Sequence, residues 1–446
     1  MDIGEIRIAT KKMLREQTPS QSACEEALPL CEQLWDAFPK TQWLWDAHQY
    51  ANCLRRLNRL DEAERVCESV YSDFKDKELP PEQARAFAYM KILYAWVVND
   101  KYIKTVRQAN YPYAAVVLDK VLLLHALIKD SAGGVPSFPF CVLTVLGQLA
   151  RTSAAVDSEK ALRVLDCLDP ALLSADAYQY TDSTGKTREN ASQKEIYYKL
   201  KSDALLGAKR YEECIVCCNE AMEALNRFHY SNDVWFARKI AIALQALGNT
   251  DEAIKKLEKL VAVSDKWFLL YEIGKLYYKQ NRPELALAYM LRAACTKDPE
   301  KMKVSLIESL GDLFHARKEE ELAQDNYLFA RQIRVKNGWT VLDRLNRKIV
   351  ADREVTFVRL RDAWIRKLYL LMGYKQGKVT RLFPNKAGGL IQADKSYLFR
   401  GKNFFGKSDF LKVGDEVAFI VVPSYDKKRG VETEEGIVVM PCKKGK

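Results

Sequence analysis

A helix–turn–helix pattern with small residues at fixed positions recurs across most of the first 340 residues, and it constrains the fold more than any other feature. Its clearest copy is WFLLYEIGKLYYKQNRPELALAYMLRAACTKDP, with Gly274 in the first helix and Ala286 in the second. Two helices approach to about 8 to 10 Å only where the side chains at their crossing are small. The pattern therefore predicts antiparallel helix hairpins packed in series.

The spacing of these hairpins identifies a known type of repeat. The alanine that opens the second helix recurs as Ala253, Ala286 and Ala323, at intervals of 33 and 37 residues. Other positions of the pattern are Leu270, Ile273, Tyr277, Met290, Ala293, Gly311, Phe314, Tyr327 and Ala330. Together they resemble the tetratricopeptide repeat, whose period is about 34 residues. This resemblance implies a mainly α fold, an α-solenoid of antiparallel hairpins that binds a protein partner in its groove.

Weaker copies of the pattern lie upstream. They are marked by Ala51 and Ala63, by Ser202 and Cys214, and by a half copy with Ala27 and Pro39. Residues from about 84 to 193 match poorly, so we expect irregular hairpins there, with long loops at 130–138 and 181–193. The helical repeat domain is predicted to span 1–330.

The pattern ends after Ala330. Residues 331–375 are strongly basic and helical by periodicity, and we expect them to form one or two helices that cap the solenoid. From about residue 376 the apolar period changes to two, in short runs separated by Gly, Pro, Asn and Asp. This change predicts about five strands in one small β-barrel over 376–446.

The barrel segment has the order of features of a known domain. GKVTRLFPNKAGGLI and FLKVGDEVAFIVV resemble the first two strands and the fourth strand of a cold-shock domain, a five-stranded oligonucleotide-binding barrel. The resemblance implies binding of RNA or single-stranded DNA, which the family achieves by stacking bases on aromatic side chains. Here the matching positions hold Arg381, Leu382, Gly388 and Leu390.

The charge is concentrated at the same end of the chain. Residues 331–446 contain 26 Lys and Arg against 12 Asp and Glu, whereas the remainder contains 44 against 47. Such asymmetry favours a polyanionic partner for the C-terminal part. An inward Leu398 would turn Tyr397 and Phe399 outward beside these cations. The predicted nucleic-acid-binding residues are Lys378, Arg381, Phe383, Lys386, Tyr397, Phe399, Arg400 and Lys402.

An alternative gives the barrel no role in nucleic-acid binding. In this interpretation Tyr397, Phe399, Phe404 and Phe405 fill the barrel or dock it onto the helical domain, and the chain is a scaffold or regulator that binds only proteins. In either case the first helices of the hairpins supply the partner-binding surface, with Asn52, Arg55 and Arg238 as candidate contacts. The tryptophans that open first helices, Trp235 and Trp267 among them, are interpreted as packing residues.

No catalytic, metal or cofactor site is predicted. Cys214, Cys217 and Cys218 follow the spacing of one helix face and have no second ligand pair. In DSTGKT the glycine that a phosphate-binding loop needs is replaced by Tyr180, and no strand is predicted before the loop, so a solvent loop is expected. We expect a non-enzymatic protein with no small-molecule substrate.

Two sequence features bear on where in the cell the protein is located. The N-terminal segment MDIGEIRIATKKMLREQ is charged throughout and has no apolar stretch of signal-peptide length. The apolar run AAVVLDKVLLLHALI is interrupted by Asp119 and Lys120, and is interpreted as a buried helix. The expected location is the cytoplasm, without membrane contact.

Overall fold

The computed structural model describes residues 2–14, 19–131, 133–152, 156–350, 352–406, 411–426 and 429–442. By their contacts the residues form two compact units, Met1–Asn232 and Asp233–Lys446. Both units are built mainly from antiparallel helix hairpins of the tetratricopeptide type, and the second also contains a closed five-stranded barrel. The predicted fold class is confirmed. The domain limits at 330 and 375 remain predictions.

The first unit contains ten α-helices among its described residues. They are Ile3–Met13 (α1), Gln21–Thr41 (α2), Leu44–Arg56 (α3), Leu60–Phe74 (α4), Pro81–Val98 (α5), Val117–Ile128 (α6), Phe138–Leu149 (α7), Ser158–Leu165 (α8), Gln193–Gly207 (α9) and Tyr211–Ala224 (α10). A π-helical turn, Asn99–Ile103, continues α5, and a 3₁₀ turn, Pro170–Leu172, follows α8. The hairpins predicted around Ala51 and Cys214 are α3–α4 and α9–α10. Among the described residues, no helix is long and apolar enough to cross a membrane.

The loop expected at 181–193 is partly wrong, because residues 181–190 belong to a β-hairpin. Strands Tyr178–Thr181 (β1) and Thr187–Asn190 (β2) pair antiparallel. Asp182 organises the turn: its carboxylate accepts hydrogen bonds from Thr184 and pairs with Arg188, and these contacts lower the pKa of Asp182 to about 2. A strand thus precedes the GKT sequence, but a second strand follows it. The helix that a phosphate-binding loop requires is not at this position.

The three clustered cysteines of α10 pack against α9. Cys214, Cys217 and Cys218 are buried. The Cys214 Sγ lies 3.6 Å from the Ser202 carbonyl oxygen, and the Cys217 Sγ lies 4.0 Å from that of Tyr198. In this hairpin the Cys214 thiol therefore occupies the small-residue position where other repeats carry Ala253 and Ala286.

The second unit begins with three hairpins and ends in the barrel. Its helices are Asn232–Ala246 (α11), Thr250–Val263 (α12), Trp267–Lys279 (α13), Pro283–Ala294 (α14), Val304–Ala316 (α15), Glu320–Lys336 (α16), Asp343–Asn346 (α17) and Phe357–Met372 (α18). Its strands are Lys375–Leu382 (β3), Gly388–Gln392 (β4), Ser396–Arg400 (β5), Glu416–Asp426 (β6) and Val431–Pro441 (β7). The 3₁₀ turns are Glu300–Lys303, Pro384–Lys386 and Gly401–Asn403.

Two glycines allow the hairpin helices of this unit to cross closely. A Cβ on Gly274 would lie 2.6 Å from the Met290 Cγ and 3.1 Å from the Ala286 carbonyl oxygen. A Cβ on Gly311 would lie 2.5 Å from the Tyr327 Cε1. Both distances are shorter than van der Waals contact, so the prediction that the crossing requires small residues is confirmed.

The α18 helix packs against α14 and α16, which belong to the last two hairpins. Trp364 is 1% exposed, and its Nε1 donates a hydrogen bond of 3.2 Å to the Asn326 Oδ1 in α16. Leu360, Ile365 and Leu368 are buried on the same side. The helix thus shields the apolar surface that the end of a repeat array exposes.

The strands of the barrel follow the order β3-β4-β5-β7-β6, and β3 closes the barrel against β6. Neighbours pair antiparallel except β5 and β7, which are parallel. The interior is filled by Val379, Ile391, Tyr397, Phe399, Phe404, Leu411, Val417, Phe419 and Val439. All five predicted strands are present.

We predict that Gly311→Ala destabilises the second unit by about 1 to 3 kcal/mol, the usual cost of forcing extra volume into a packed core. Gly147 in α7 is the matched control, because no atom lies within 4 Å of a Cβ at that position. Gly147→Ala should stabilise the first unit by up to about 1 kcal/mol through helix propensity alone. Urea unfolding followed by circular dichroism measures both. Equal changes in the free energy of unfolding for the two substitutions would refute the requirement for a small residue where the helices cross.

We also predict a pH dependence from His229 in the first unit. Its Nδ1 lies 2.7 Å from Glu195 and its Nε2 lies 3.2 Å from Glu189, and these contacts raise the pKa of His229 above the ordinary value. The resulting stabilisation is complete below the ordinary pKa of about 6.5 and is lost as the pH rises through the raised value. The urea midpoint should therefore fall as the pH rises above about 6.5, and His229→Asn should remove that part of the decline. An unchanged slope in the variant would contradict the prediction.

Candidate functional site

The third barrel strand places its aromatic side chains inside, not outside. Tyr397 is 1% exposed and Phe399 is fully buried, whereas Leu398 is 38% exposed. Phe399 pairs with Gly389, where a Cβ would lie 2.8 Å from the Phe399 ring, so the glycine provides the space that the ring occupies. The prediction that Tyr397 and Phe399 face outward is wrong. The alternative, in which they fill the barrel together with Phe404, is confirmed.

The Tyr397 hydroxyl contacts two charged side chains. That oxygen lies 2.7 Å from the Lys375 Nζ and 3.1 Å from both carboxylate oxygens of Asp394. The ring itself packs on Phe419, with centroids 5.4 Å apart. Neither Tyr397 nor Phe399 is therefore available for stacking on a base.

Arg400 and Lys402, also predicted to bind nucleic acid, form ion pairs with carboxylates. The Lys402 Nζ lies 2.5 Å from Asp265, which is in the loop between α12 and α13, and Arg400 lies 3.0 Å from Glu435 and 3.9 Å from Asp265. These contacts connect the barrel to the helical hairpins of the same unit. The two cations contribute to docking of the barrel.

Two further contacts hold the barrel on the helices. The Tyr369 hydroxyl of α18 lies 2.9 Å from the Ala418 carbonyl oxygen and 2.6 Å from that of Val438. Phe405 is 7% exposed, and the cationic groups of Lys297 and Arg361 each lie 5.9 Å from its ring centroid. The expected docking role is thus observed for Phe405.

The remaining predicted residues lie together on the exposed outer surface of β3 and the turn that follows it. Lys378, Arg381 and Lys386 are exposed, and Phe383 is half-buried. The Arg381 guanidinium lies 6.0 Å from the Phe383 ring centroid. Arg381 pairs with Leu390, and Leu390 pairs with Leu398, so leucines continue the row of outward positions. We call Lys378, Arg381, Phe383 and Lys386 the barrel basic surface.

A second surface lies on the first helices of the hairpins in the same unit. Trp235 of α11 stacks on Phe268 of α13, with ring centroids 4.8 Å apart and planes inclined by 6°. The Arg238 guanidinium lies 5.6 Å from the Trp235 centroid and 5.8 Å from that of Phe268, and pairs with Glu272 at 2.5 Å. Trp235 remains 37% exposed. We call Trp235, Arg238, Phe268 and Glu272 the aromatic surface.

This surface continues toward the next hairpin. The Tyr271 ring packs beside Trp267, and its hydroxyl lies 2.8 Å from the Ser309 hydroxyl in α15. The Lys275 Nζ lies 5.0 Å from the Tyr271 centroid. First helices of three consecutive hairpins are therefore linked by side chains that are partly open to solvent.

Two of the candidate contacts, Asn52 and Arg55, lie in the first unit. Arg55 pairs with Asp100 at 2.7 Å, and its guanidinium lies 5.3 Å from the Trp96 centroid. Asn52 is half-buried. The structure assigns Arg55 to intramolecular pairing, and it leaves the predicted partner role of these residues untested.

Trp235 is a surface residue, whereas its place at the start of a first helix predicts packing. Hairpin periodicity does not distinguish a buried position from one between neighbouring first helices. The recurrence of aromatic residues at Trp235 and Phe268, 33 residues apart, could have identified a stack along the repeat axis. Among the described residues, no group of three or more His, Cys, Asp or Glu side chains could hold a metal ion.

Comparison with known proteins gives one sequence family and several similar structures. A family described as a domain of unknown function (DUF7017) matches residues 234–352. No curated protein matches the chain.

Solved structures with similar helical arrays have low identity. MamA from Desulfovibrio magneticus RS-1 is 14% identical, covering 44% of this chain and 96% of that one, with a TM-score of 0.32. The human IFIT1 dimer with PPP-AAAA is 11% identical, covering 78% and 69%, with a TM-score of 0.33. A tetratricopeptide repeat protein from Parabacteroides merdae is 12% identical, covering 68% and 96%, with a TM-score of 0.26. Similarity at this level carries no conclusion on function.

Proposed function

We propose that this chain is an adaptor that binds a protein partner through the aromatic surface. The observation that carries the proposal is the exposed stack of Trp235 on Phe268 with Arg238 beside it. Tryptophan, tyrosine and arginine are the residue types that dominate the energetics of protein interfaces. Their side chains combine a large apolar area with a polar group that can pair with the partner.

The surface is suited to an extended or helical peptide that crosses several hairpins. Its anchors come from α11 and α13, and Tyr271 extends it toward α15. Trp235 and Arg238 are already held by stacking and by the ion pair with Glu272, so little side-chain entropy is lost on binding. A partner side chain that is aromatic or aliphatic would complete the burial of Trp235.

The test is affinity capture with full-length chains that differ at one tryptophan. We predict that Trp235→Ala loses a bound protein or weakens its affinity at least about tenfold, as expected for an interface hot spot. Trp339→Ala is the matched control, since Trp339 is 43% exposed in the same unit but is not in the aromatic surface. Thermal unfolding of both variants checks that folding is intact. Capture of the same proteins, with the same affinity, by both variants would refute the proposal.

We propose as a second activity that the barrel basic surface binds RNA or single-stranded DNA. The supporting observation is that Lys378, Arg381 and Lys386 are exposed on neighbouring parts of one barrel surface, with the Phe383 ring beside Arg381. The excess of Lys and Arg in residues 331–446 adds long-range attraction for a polyanion. With Tyr397 and Phe399 buried, affinity would depend on phosphate contacts more than on base stacking.

Salt dependence separates this activity from nonspecific behaviour. We predict that the full chain binds a fluorescent oligouridine and that substituting Lys378, Arg381 and Lys386 by Gln lowers the slope of log affinity against log salt by about 2, since each contact to a single strand contributes about 0.7. Gln at the exposed Lys11, Lys12 and Lys40 removes the same charge from the first unit and should leave the slope unchanged. No binding at low salt, or equal slopes for the two variants, would refute nucleic-acid binding while leaving the protein-binding proposal intact.

A further inference from the structure

A cavity lies where the barrel meets the hairpin α13–α14 in the second unit. Its volume is 390 Å³, within the range of about 300 to 1,000 Å³ typical of pockets for small ligands. Its walls come from the end of α12 and the following loop, from the end of α14 and the following loop, and from strands β6 and β7 with the turn after β5. Neither of the proposed binding surfaces contributes to it.

The charged side chains that line this cavity are not balanced. Five are cationic, namely Lys266, Arg292, Lys297, Arg400 and Lys402, whereas three are acidic, namely Asp265, Asp298 and Glu435. Lys402 and Arg400 pair with Asp265 and Glu435, as described above. Lys266, Arg292 and Lys297 remain against Asp298, so the lining keeps an excess of positive charge.

Glu435 accepts hydrogen bonds from several donors. Besides Arg400, the Asn403 Nδ2 donates to it at 2.9 Å and the Ser424 hydroxyl at 3.2 Å. Burial raises the pKa of Glu435, and the Arg400 guanidinium offsets the charge of this carboxyl on the barrel side of the cavity.

Arg292 is a half-buried cation that lines the cavity. It lies near the end of α14, and its Nε is buried without a hydrogen-bond partner among the described residues. Its guanidinium lies 5.0 Å from the Tyr289 centroid, a contact that orients the group but does not neutralise it. Burial lowers the pKa of Arg292. A buried cation in this condition is stabilised by an anion that accepts its hydrogen bonds.

Lys297 supplies a second cation across the loop after α14. Its Nζ lies 3.4 Å from the Gly401 carbonyl oxygen, a long contact to a neutral group, and 5.9 Å from the Phe405 centroid. Apolar side chains also line the cavity, among them Leu270, Val422 and Ile437. The cavity therefore offers both cationic and apolar side chains to a ligand.

We propose that this cavity binds a small phosphorylated ligand with an apolar ring, of the size of a nucleoside monophosphate, with its phosphate on Arg292 and Lys297. The fork of an arginine side chain matches two phosphate oxygens, and a lysine adds a point charge. The apolar side chains receive the ring. This binding site is independent of the protein-binding and oligonucleotide-binding surfaces.

Calorimetry and thermal unfolding of the full-length chain with the four nucleoside monophosphates test the proposal. At least one should bind and raise the unfolding temperature, the corresponding uncharged nucleoside should bind at least about tenfold more weakly, and inorganic phosphate should compete. Arg292→Gln should weaken binding about tenfold or more, as expected for loss of a charge-assisted bidentate contact. Lys297→Gln should weaken it by a smaller factor.

Arg282→Gln is the matched control, because Arg282 precedes α14 and also lies 5.0 Å from a tyrosine ring, that of Tyr277, yet does not line the cavity. The Arg282→Gln variant should bind the monophosphate with the same affinity as the unmodified chain. If Arg292→Gln fails to fold, Lys297→Gln, at an exposed position, decides the outcome. Absence of binding by all four monophosphates at millimolar concentration, equal binding of the uncharged nucleoside, or unchanged affinity in the cavity variants would overturn the proposal.

Discussion

The close crossing of paired helices is the constraint on which the remainder of the structure depends. At Gly274 and Gly311 the facing side chains of Met290 and Tyr327 occupy the space of the missing Cβ, so each hairpin has a defined angle and separation. Successive first helices are then brought side by side. Only because of this register do Trp235 and Phe268, which belong to different hairpins, stack at 4.8 Å.

The hairpins and the barrel strands could be predicted because each depends on a local period. Residues Ala253, Ala286 and Ala323 identify second helices without any knowledge of long-range contacts, and the period of two over 416–422 identifies a strand. Which side chains of the third barrel strand point into the barrel could not be predicted in the same way. Leu398 and the residues on either side of it are all apolar, so alternation allows either Leu398 or its two neighbours to point into the barrel. Which of them point inward depends on the space that Gly389 leaves in the neighbouring strand.

The candidate sites show the same difference between local pattern and long-range contact. An excess of Lys and Arg at the C-terminal end is visible in the sequence, but the pairing of Arg400 and Lys402 depends on Asp265 and Glu435, which are distant along the chain. Within the predicted set only Lys378, Arg381, Phe383 and Lys386 remain as one exposed group. The cavity beside Arg292 has no sequence pattern at all, because its walls come from segments about 140 residues apart.

The contact of Tyr369 with two strands has a consequence for how this unit can be divided. One hydroxyl in α18 lies within hydrogen-bonding distance of carbonyl oxygens in both β6 and β7, and Trp364 in the same helix is buried against α16. A single helix is thus shared by the apolar interior of the repeats and by the wall of the barrel. The barrel cannot be removed without exposing buried surface. Excising it would expose α18, and excising the repeats would expose the opposite side of the same helix. The end of the repeat array and the attachment of the barrel therefore depend on the same helix.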